Sequence, residues 1–389
     1  MKILITGDLH IDAAKIGKIN PNTDLDYRTE DFLRAVSYTI DTANKESVDL
    51  FILNGDLYKG RTSTHHVETL FAEQLQRLNP SIKRLINLGN HDYTPKQLSY
   101  GVNTYSVLMS TNLPDTTFNL DINHFVYPDL DLVIYPYYDL KRVPELETNE
   151  KLISWIEDKI GSFKLTKKRK LFVGHGTPAG TIFNEDFYFD LDMISEPVLP
   201  LSLFENFDYA LFSHIHRAHW IGKKVFHIGS PERVDFGEAD DDKGFVIYDT
   251  ETNKVEWYST DPRPMKDLKI DLTSLSEFDD PNQILIDAVE TIPNLEKTMV
   301  KLSVTCNEQV YSIVDHLSLR TSLSKAFYYK TPSFEVNKIQ KTKNKEITEQ
   351  LTITQALAKV VDARSDLSDQ DKTILIFKAN AIIAQGKDI

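Results

Sequence analysis

Lys2-Ile-Leu-Ile-Thr6 runs directly into Gly7-Asp8-Leu9-His10. A short apolar run that stops at a glycine, a carboxylate and an imidazole reads as a buried strand whose end carries groups able to bind a cation. The same unit returns in Asp49-Leu-Phe-Ile-Leu53 before Asn54-Gly55-Asp56, and in Arg84-Leu-Ile-Asn-Leu88 before Gly89-Asn90-His91-Asp92. Three more candidate strands follow: Leu132-Val-Ile-Tyr135, Leu171-Phe-Val173 before Gly174-His175-Gly176, and Tyr209-Ala-Leu-Phe212 before Ser213-His214-Ile215-His216. Between the first strands, Phe32, Val36, Ile40 and Ala43 recur at helical spacing, as do Val67, Leu70, Phe71, Leu75 and Leu78. Strands alternating with amphipathic helices define an α/β fold, in which ligands collect at the carboxyl ends of the strands. The polar clusters fall at those ends.

The chain has 389 residues, long enough for two or three domains. Its 41% hydrophobic and 26% charged content excludes collagen, long disordered tails and disulfide scaffolds. Cys306 is the one cysteine, so no internal disulfide forms, which suits a reducing compartment and a buried apolar role for the thiol. No apolar run approaches the roughly 18 residues of a membrane span, and the opening residues do not read as a signal peptide. The expected location is the cytoplasm, or the host cytoplasm for a viral source. The net charge of −14 gives no overall attraction to nucleic acid or anionic membranes, so a phosphate-bearing substrate has to be drawn in locally.

In chain order the polar clusters supply Asp8 and His10, Asp56, then Asn90, His91 and Asp92, His175, then His214 and His216. Carboxylate, imidazole and amide donors together suit Mn²⁺, Zn²⁺ or Fe²⁺ better than Ca²⁺ or Mg²⁺ alone. They are too many for one ion. Two cations about 3.5–4 Å apart accommodate them if one carboxylate bridges, and Asp56, after the very apolar Leu50-Phe51-Ile52-Leu53, is the natural bridge. Asp8 and His10 share a face if the chain there is extended. His214 and His216 share one on the same basis, although a turn would place each on a different ion. With Asn90 supplying a neutral oxygen, His91 is left free to act on substrate.

In this order, Asp-x-His, Gly-Asp, Gly-Asn-His-Asp, Gly-His and His-x-His resemble the calcineurin-like metallophosphoesterase superfamily. Ser213-His-Ile-His-Arg217, Gly229-Ser-Pro-Glu-Arg-Val-Asp-Phe-Gly-Glu238 and Asp242-Lys-Gly-Phe245 are similar to its SbcD-type DNA double-strand-break repair nucleases. The resemblance is strong over residues 1 to about 250. It implies that Asp8, His10 and His216 hold one metal, Asn90, His175 and His214 the other, and Asp56 both. It also implies that His91 contacts the scissile phosphate and stabilises or protonates the leaving oxygen.

The implied fold is a two-sheet sandwich flanked by helices over residues 1–262. A smaller α+β capping domain over 265–337 would help admit DNA, and a helical segment over 345–389 would dock on an SbcC-type ATPase. Two divalent ions are implied, Mn²⁺ as first choice with Mg²⁺ the alternative, together with a homodimer, DNA as substrate at double-stranded ends or as single strands, and no membrane. Two positions depart from the pattern. Ser213 stands where glycine is usual, and Lys59 where many members have a histidine implicated in exonuclease action, leaving the exonuclease and endonuclease balance open.

Lys59, Arg61, Lys338 and Lys341 are the candidate DNA contacts. Lys167-Lys-Arg-Lys170 reads as a solvated face, Arg233 as an internal ion-pair residue, His65 and His66 as exposed, and His124, His219 and His227 as structural. In the tail, Ser368-Asp-Gln-Asp371 reads as a helix start of the capping-box kind. The functional expectation is a Mn²⁺-dependent DNA exonuclease or endonuclease acting at DNA ends in repair or recombination. A phosphatase or cyclic-nucleotide phosphodiesterase with the same two metals, and a non-catalytic scaffold for the ATPase, are the alternatives.

Overall fold

Alternation along the first strand sets the layering. In the computed structural model, β1 (Lys2–Thr6) turns Ile3 and Ile5 into one apolar core and Leu4 into another, as a period of two requires. Likewise β2 (Leu50–Asn54) turns Leu50 and Ile52 one way and Phe51 and Leu53 the other. The structure describes residues 1–58, 64–92, 108, 111, 113–182, 196–275, 279–337, 353–364 and 367–385.

β1 and β2 lie in a six-stranded sheet, in the order β14 (Lys254–Ser259), β13 (Gly244–Asp249), β1, β2, β3 (Lys83–Asn87) and β4 (Thr116–Asn119). β1 to β4 are mutually parallel, and β13 enters antiparallel to β1 with Ile5 opposite Val246. A second six-stranded sheet runs β11 (His219–Ile221), β12 (Val225–His227), β10 (Tyr209–Ser213), β7 (Arg169–His175), β6 (Leu130–Tyr135) and β5 (Asn123–Val126). The short strands β8 (Thr177–Pro178) and β9 (Val198–Leu199) form a separate pair.

The two large sheets face each other. Ile3, Ile5, Leu50, Ile52 and Leu85 of the first share one core with Leu132, Ile134, Leu171, Val173 and Leu211 of the second. The outer face of the first sheet packs on α1 (Tyr27–Lys45) and α2 (His65–Gln76) through Phe32, Val36, Ile40, Phe71 and Leu75. The outer face of the second packs on α3 (Asn149–Gly161) through Leu152, Ile156 and Ile160. This is the expected two-sheet sandwich flanked by helices.

The inter-sheet core ends in amides. Asn54 follows Leu50 and Ile52 on the inward face of β2, and its Nδ2 donates to Gly174 O (2.7 Å) and Ser213 Oγ (3.1 Å) in the second sheet. Asn87 Nδ2 donates to Asn54 Oδ1 (2.8 Å) and to Tyr135 O (2.9 Å), and Asn119 Nδ2 donates to Asn87 Oδ1 (2.9 Å). This rung stitches the sheets together where the apolar interior gives way to the polar strand ends. It also accounts for the serine at 213: its hydroxyl takes an amide proton, and Gly7 makes the room, since a Cβ there would lie 2.3 Å from Ser213 Oγ.

By compactness the chain separates into two units, Met1–Ile270 with Asn282–Ser303 and Asp315–Ser333, and Asp271–Pro281 with Val304–Val314 and Phe334–Ile389. Later in the chain comes a four-stranded sheet of β15 (Met265–Asp271), β16 (Met299–Asn307) and β17 (Tyr328–Tyr329), with β18 (Ser333–Asn337) also paired to β16. It is accompanied by α4 (Pro281–Glu290), α5 (Glu308–Ile313) and α6 (His316–Leu323). Within the first unit Phe327 is held between two cations, with Lys18 Nζ 4.1 Å and Arg263 Cζ 3.7 Å from its ring centroid.

The second unit ends in α7 (Ile353–Asp362) and α8 (Asp369–Gln385). Asp371 N donates to Ser368 Oγ at 3.2 Å, as the Ser368 to Asp371 pattern predicts. Cys306 is buried. No described helix is long and apolar enough to cross a membrane.

Replacing Asn54 with alanine removes the buried donor to Gly174 O and Ser213 Oγ and one acceptor of the Asn87 amide, at a cost of about 1–3 kcal/mol. Urea unfolding of Asn54→Ala is expected to show a loss of about 1–3 kcal/mol. A loss below about 1 kcal/mol would remove the amide rung from the account of sheet docking.

Candidate metal centre

The residues following β1, β2, β3, β7 and β10 meet at one place, and the backbone is bent to bring them there. Asp8 (φ 51°), His10 (φ 41°), Asp56 (φ 55°) and His214 (φ 103°) all have positive φ. That region costs an ordinary L-residue about 1–2 kcal/mol, and strain of this kind clusters at functional sites. The expectation that Asp8 and His10 share a face of extended chain is therefore corrected. β1 stops at Thr6, and both residues lie on a turn beyond it. That turn is paired to the one after β2: Asp8 N donates to Gly55 O and His10 N to Asp56 O, each at 3.0 Å.

Two close approaches complete the scaffold. A Cβ on Gly89 would lie 2.2 Å from Asp56 Oδ1 and 2.5 Å from Asp56 N, so no larger residue fits against that carboxylate. Asp92 closes the turn from below. Its carboxylate accepts from Asp56 N (2.7 Å), Gly89 N (2.8 Å) and Leu57 N (3.1 Å). Asp56 Oδ1 accepts from His91 N at 2.8 Å, leaving Oδ2 facing the centre.

Among the described residues, Asp8, His10 and His216 form one group with donor atoms within 4.8 Å of one another, and Asp56, His175 and His214 form a second. Asn90 belongs to the second by geometry: its Oδ1 lies 3.0 Å from His175 Nε2 and 3.0 Å from His214 Nδ1. Asp56 stands between the groups, with Oδ2 3.7 Å from His10 Nε2 and 3.4 Å from His175 Nε2. His214 and His216 thus separate, one to each group, as the turn geometry allows.

The donors fit divalent cations. Asp8 Oδ1 and His10 Nδ1 are buried with no hydrogen-bond partner, and His10 Nε2 faces His216 Nε2 at 2.9 Å. Two imidazole nitrogens so close, beside an unpartnered carboxylate oxygen, either share a proton or, with both lone pairs free, receive a cation between them.

His216, His214 and His175 are each aimed by the other ring nitrogen, as metal-binding imidazoles are. His216 Nδ1 pairs with Glu238 Oε1 at 2.6 Å, His214 Nε2 with Glu196 at 3.1 Å, and His175 Nδ1 donates to Asn54 O at 2.8 Å. Tyr137 and Thr177 also donate to Glu196, at 3.0 and 2.5 Å. Burial opposes the charged form of Glu196, but these three donors outweigh it and pull its pKa down to about 2. Burial likewise opposes Glu238, and its bond to His216 together with Lys243 brings it down to about 2.

At the centre, burial opposes the His175 imidazolium, yet the adjacent Asp56 and Asp8 carboxylates push its pKa up to about 10. Burial also opposes a charged His216, and Glu238 and Asp8 raise it nonetheless. Burial lowers His10 to about 3 and raises Asp8. Asp56, against its own burial, is held below the usual carboxylate range by His175.

Glu196, Glu238, Asp92 and Lys243 carry functional geometry that the sequence reading did not assign. Asp92, Glu238 and Lys243 lie inside the quoted motifs and could have been found there; Glu196 has no local signal. His91 is half-buried, its ring edge-on to His10 with centroids 5.1 Å apart.

Lys59, Arg61, Lys338 and Lys341 lie outside the described residues. Lys167 precedes β7 and Arg169–Lys170 open it, at the end away from the site, with the Arg169 guanidinium donating to Thr250 O. Arg233 is internal, but it serves the carbonyls of Glu238, Asp241 and Arg263, where an ion pair was expected. His65 and His66 are exposed. His124 pairs with Asp131 at 2.8 Å, and His219 and His227 stack on each other.

Residues 1–218 match the family model described as calcineurin-like phosphoesterase. The chain is 25% identical over 281 residues to the SbcD component of the nuclease SbcCD from Staphylococcus epidermidis, covering 69% of this chain and 72% of that protein. Among solved structures it is similar to a dimetal phosphatase from Danio rerio (14% identity, TM-score 0.40, 64% of this chain and 91% of that one). TT1561 of Thermus thermophilus gives 14% identity and a TM-score of 0.38, over 67% of this chain and 98% of the other. The chain spans about half, 52%, of a yellow lupin purple acid phosphatase, at 15% identity and a TM-score of 0.39 over 66% of its own length.

A cation that takes His175 Nε2 has to displace a proton at any pH below about 10. Mn²⁺ uptake is therefore expected to release protons and to tighten as pH rises from about 6 to about 8, read by calorimetry in buffers of different ionisation enthalpy. Uptake independent of pH would contradict the assignment. Gly89→Ala, which drives a methyl group into Asp56, is expected to abolish high-affinity uptake in equilibrium dialysis.

Proposed function

The chain belongs to the calcineurin-like phosphoesterase family, and on that premise we propose that it is a Mn²⁺-dependent DNA nuclease of the SbcD type. It hydrolyses phosphodiester bonds at DNA ends, in repair or recombination, together with an SbcC-type ATPase. The observation that carries this reading is the pair of donor groups joined by Asp56, with the Gly229 to Glu238 segment folded onto one of them through the Glu238 bond to His216. The similarity to the SbcD component of a nuclease supports the choice of DNA.

Asp8, His10 and His216 would hold one cation, Asn90, His175 and His214 the other, and Asp56 both. Bound there, two cations neutralise the phosphodiester and activate water as the nucleophile near neutral pH. Asp56 fixes its own orientation by committing Oδ1 to the His91 amide, so that the carboxylate and His91 move as one piece. The His91 ring is steadied against His10, and in this reading its imidazole would donate a proton to the leaving oxygen. A positioned acid of this kind contributes about 10²–10⁴-fold.

Residues 265–337 act as the capping domain, and the tail over 345–389 carries the partner-binding helices, with Phe377 76% exposed on α8. A chain of net charge −14 holds DNA through its cations, its local basic residues and its partner. Lys59, Arg61, Lys338 and Lys341 are the proposed local contacts.

His91→Ala is expected to lower Mn²⁺-dependent cleavage of linear duplex DNA by about 10²–10⁴-fold while bound Mn²⁺ is unchanged; an unaffected rate refutes the role. Turnover of bis-p-nitrophenyl phosphate or cyclic nucleotides without cleavage of DNA would move the reading to a small-molecule phosphodiesterase. The isolated chain is expected to bind duplex DNA weakly at physiological salt, by fluorescence anisotropy, and tight binding would refute the charge argument.

A further inference from the structure

Lys243 is completely buried, and an ammonium group without water needs an acceptor for each proton. Its Nζ donates to the His216 carbonyl at 2.9 Å and to Ser230 Oγ at 3.1 Å, and pairs with Glu238 Oε2 at 2.8 Å. The other carboxylate oxygen of Glu238 holds His216 Nδ1 at 2.6 Å, and Val234 N donates to Oε2 at 2.9 Å. One lysine therefore grips the same histidine twice, at its main chain directly and at its ring through Glu238.

Topology explains how a lysine so distant in sequence reaches this place. β13 begins at Gly244 and runs antiparallel to β1. The residue just before it consequently lies at the β1 end from which Asp8 and His10 emerge. A buried ion pair is a poor way to gain stability, since apolar residues of similar volume do as well or better. Its geometry here is directed at one ring.

We propose that Lys243 is a positioning residue for the cation held by Asp8, His10 and His216. Acting through Glu238 and the His216 carbonyl, it sets the ring so that Nε2 faces the site. The second group is positioned separately, through Glu196, Tyr137 and Thr177 on His214. The inference rests on the reading that the two donor groups bind cations.

The test is Mn²⁺ titration of the full chain by calorimetry, with unfolding in chelator as the control for stability. Lys243→Met is expected to weaken one of two Mn²⁺ ions by about 10–100-fold and the other by less than about threefold. Glu238→Gln should do the same, and it carries the test if loss of the ammonium group costs the fold. The ion weakened should be the one lost in His216→Ala, so that adding Glu238→Gln to His216→Ala changes nothing further. Glu196→Gln should weaken the other ion. Two ions bound with unchanged affinity in both Lys243→Met and Glu238→Gln, or weakened equally, overturn the positioning role. A wild-type chain that takes up no Mn²⁺ overturns the metal reading beneath it.

Discussion

Two carboxylates and four imidazoles share a space in which neighbouring donor atoms lie less than about 5 Å apart, mostly out of water. Such crowding is tolerable only with positive charge at its centre, supplied by protons on His175 and His216 or by divalent cations competing for the same atoms. The rest of the site follows from the need to bring the donors so close. Left-handed turns end the strands abruptly, Gly89 lets one turn press on Asp56, and amides join the sheets where the apolar core runs out.

The strand ends were legible because most are apolar runs stopped by glycine and a donor group, Tyr209-Ala-Leu-Phe212 stopping instead at Ser213. Lys2–Thr6 forms as read, and the others differ by a residue or two at their ends. The convergence of the candidate donors was legible for the same reason: parallel strands present their carboxyl ends together. The conformation of those ends was not. Period-two reasoning assumes extended chain, whereas Asp8 and His10 adopt positive φ because they are tied to Gly55 and Asp56 far along the chain. Glu196 was illegible because it acts through a histidine in another element and sits in no pattern. Ser213 looked like a mild departure, and only its contacts with Asn54 and Gly7 give it a role.

The Gly229 to Glu238 segment shows how a signature can stand out in a sequence through the contacts it makes inside the fold. Ser230 N donates to the His216 carbonyl at 3.1 Å, Arg233 serves three carbonyls, and Glu232 lies buried 3.6 Å from the Arg28 guanidinium. Arg28 in turn pairs with Asp31, which takes two hydrogen bonds from Arg263. These contacts are directed inward. The segment reaches the donor group through the Glu238 bond to the His216 ring and the Ser230 bond to its carbonyl.

The antiparallel entry of β13 beside β1 bears on the order of events during synthesis. β1 gains β2 early, yet its other edge stays open until β13, about 240 residues later in the chain, has emerged. An unpaired edge that persists so long invites association with other nascent chains. The nascent protein also cannot complete its first donor group until His216 appears, nor brace it until Lys243 does. The donor group of Asp8, His10 and His216 is thus assembled from parts of the chain made far apart in time.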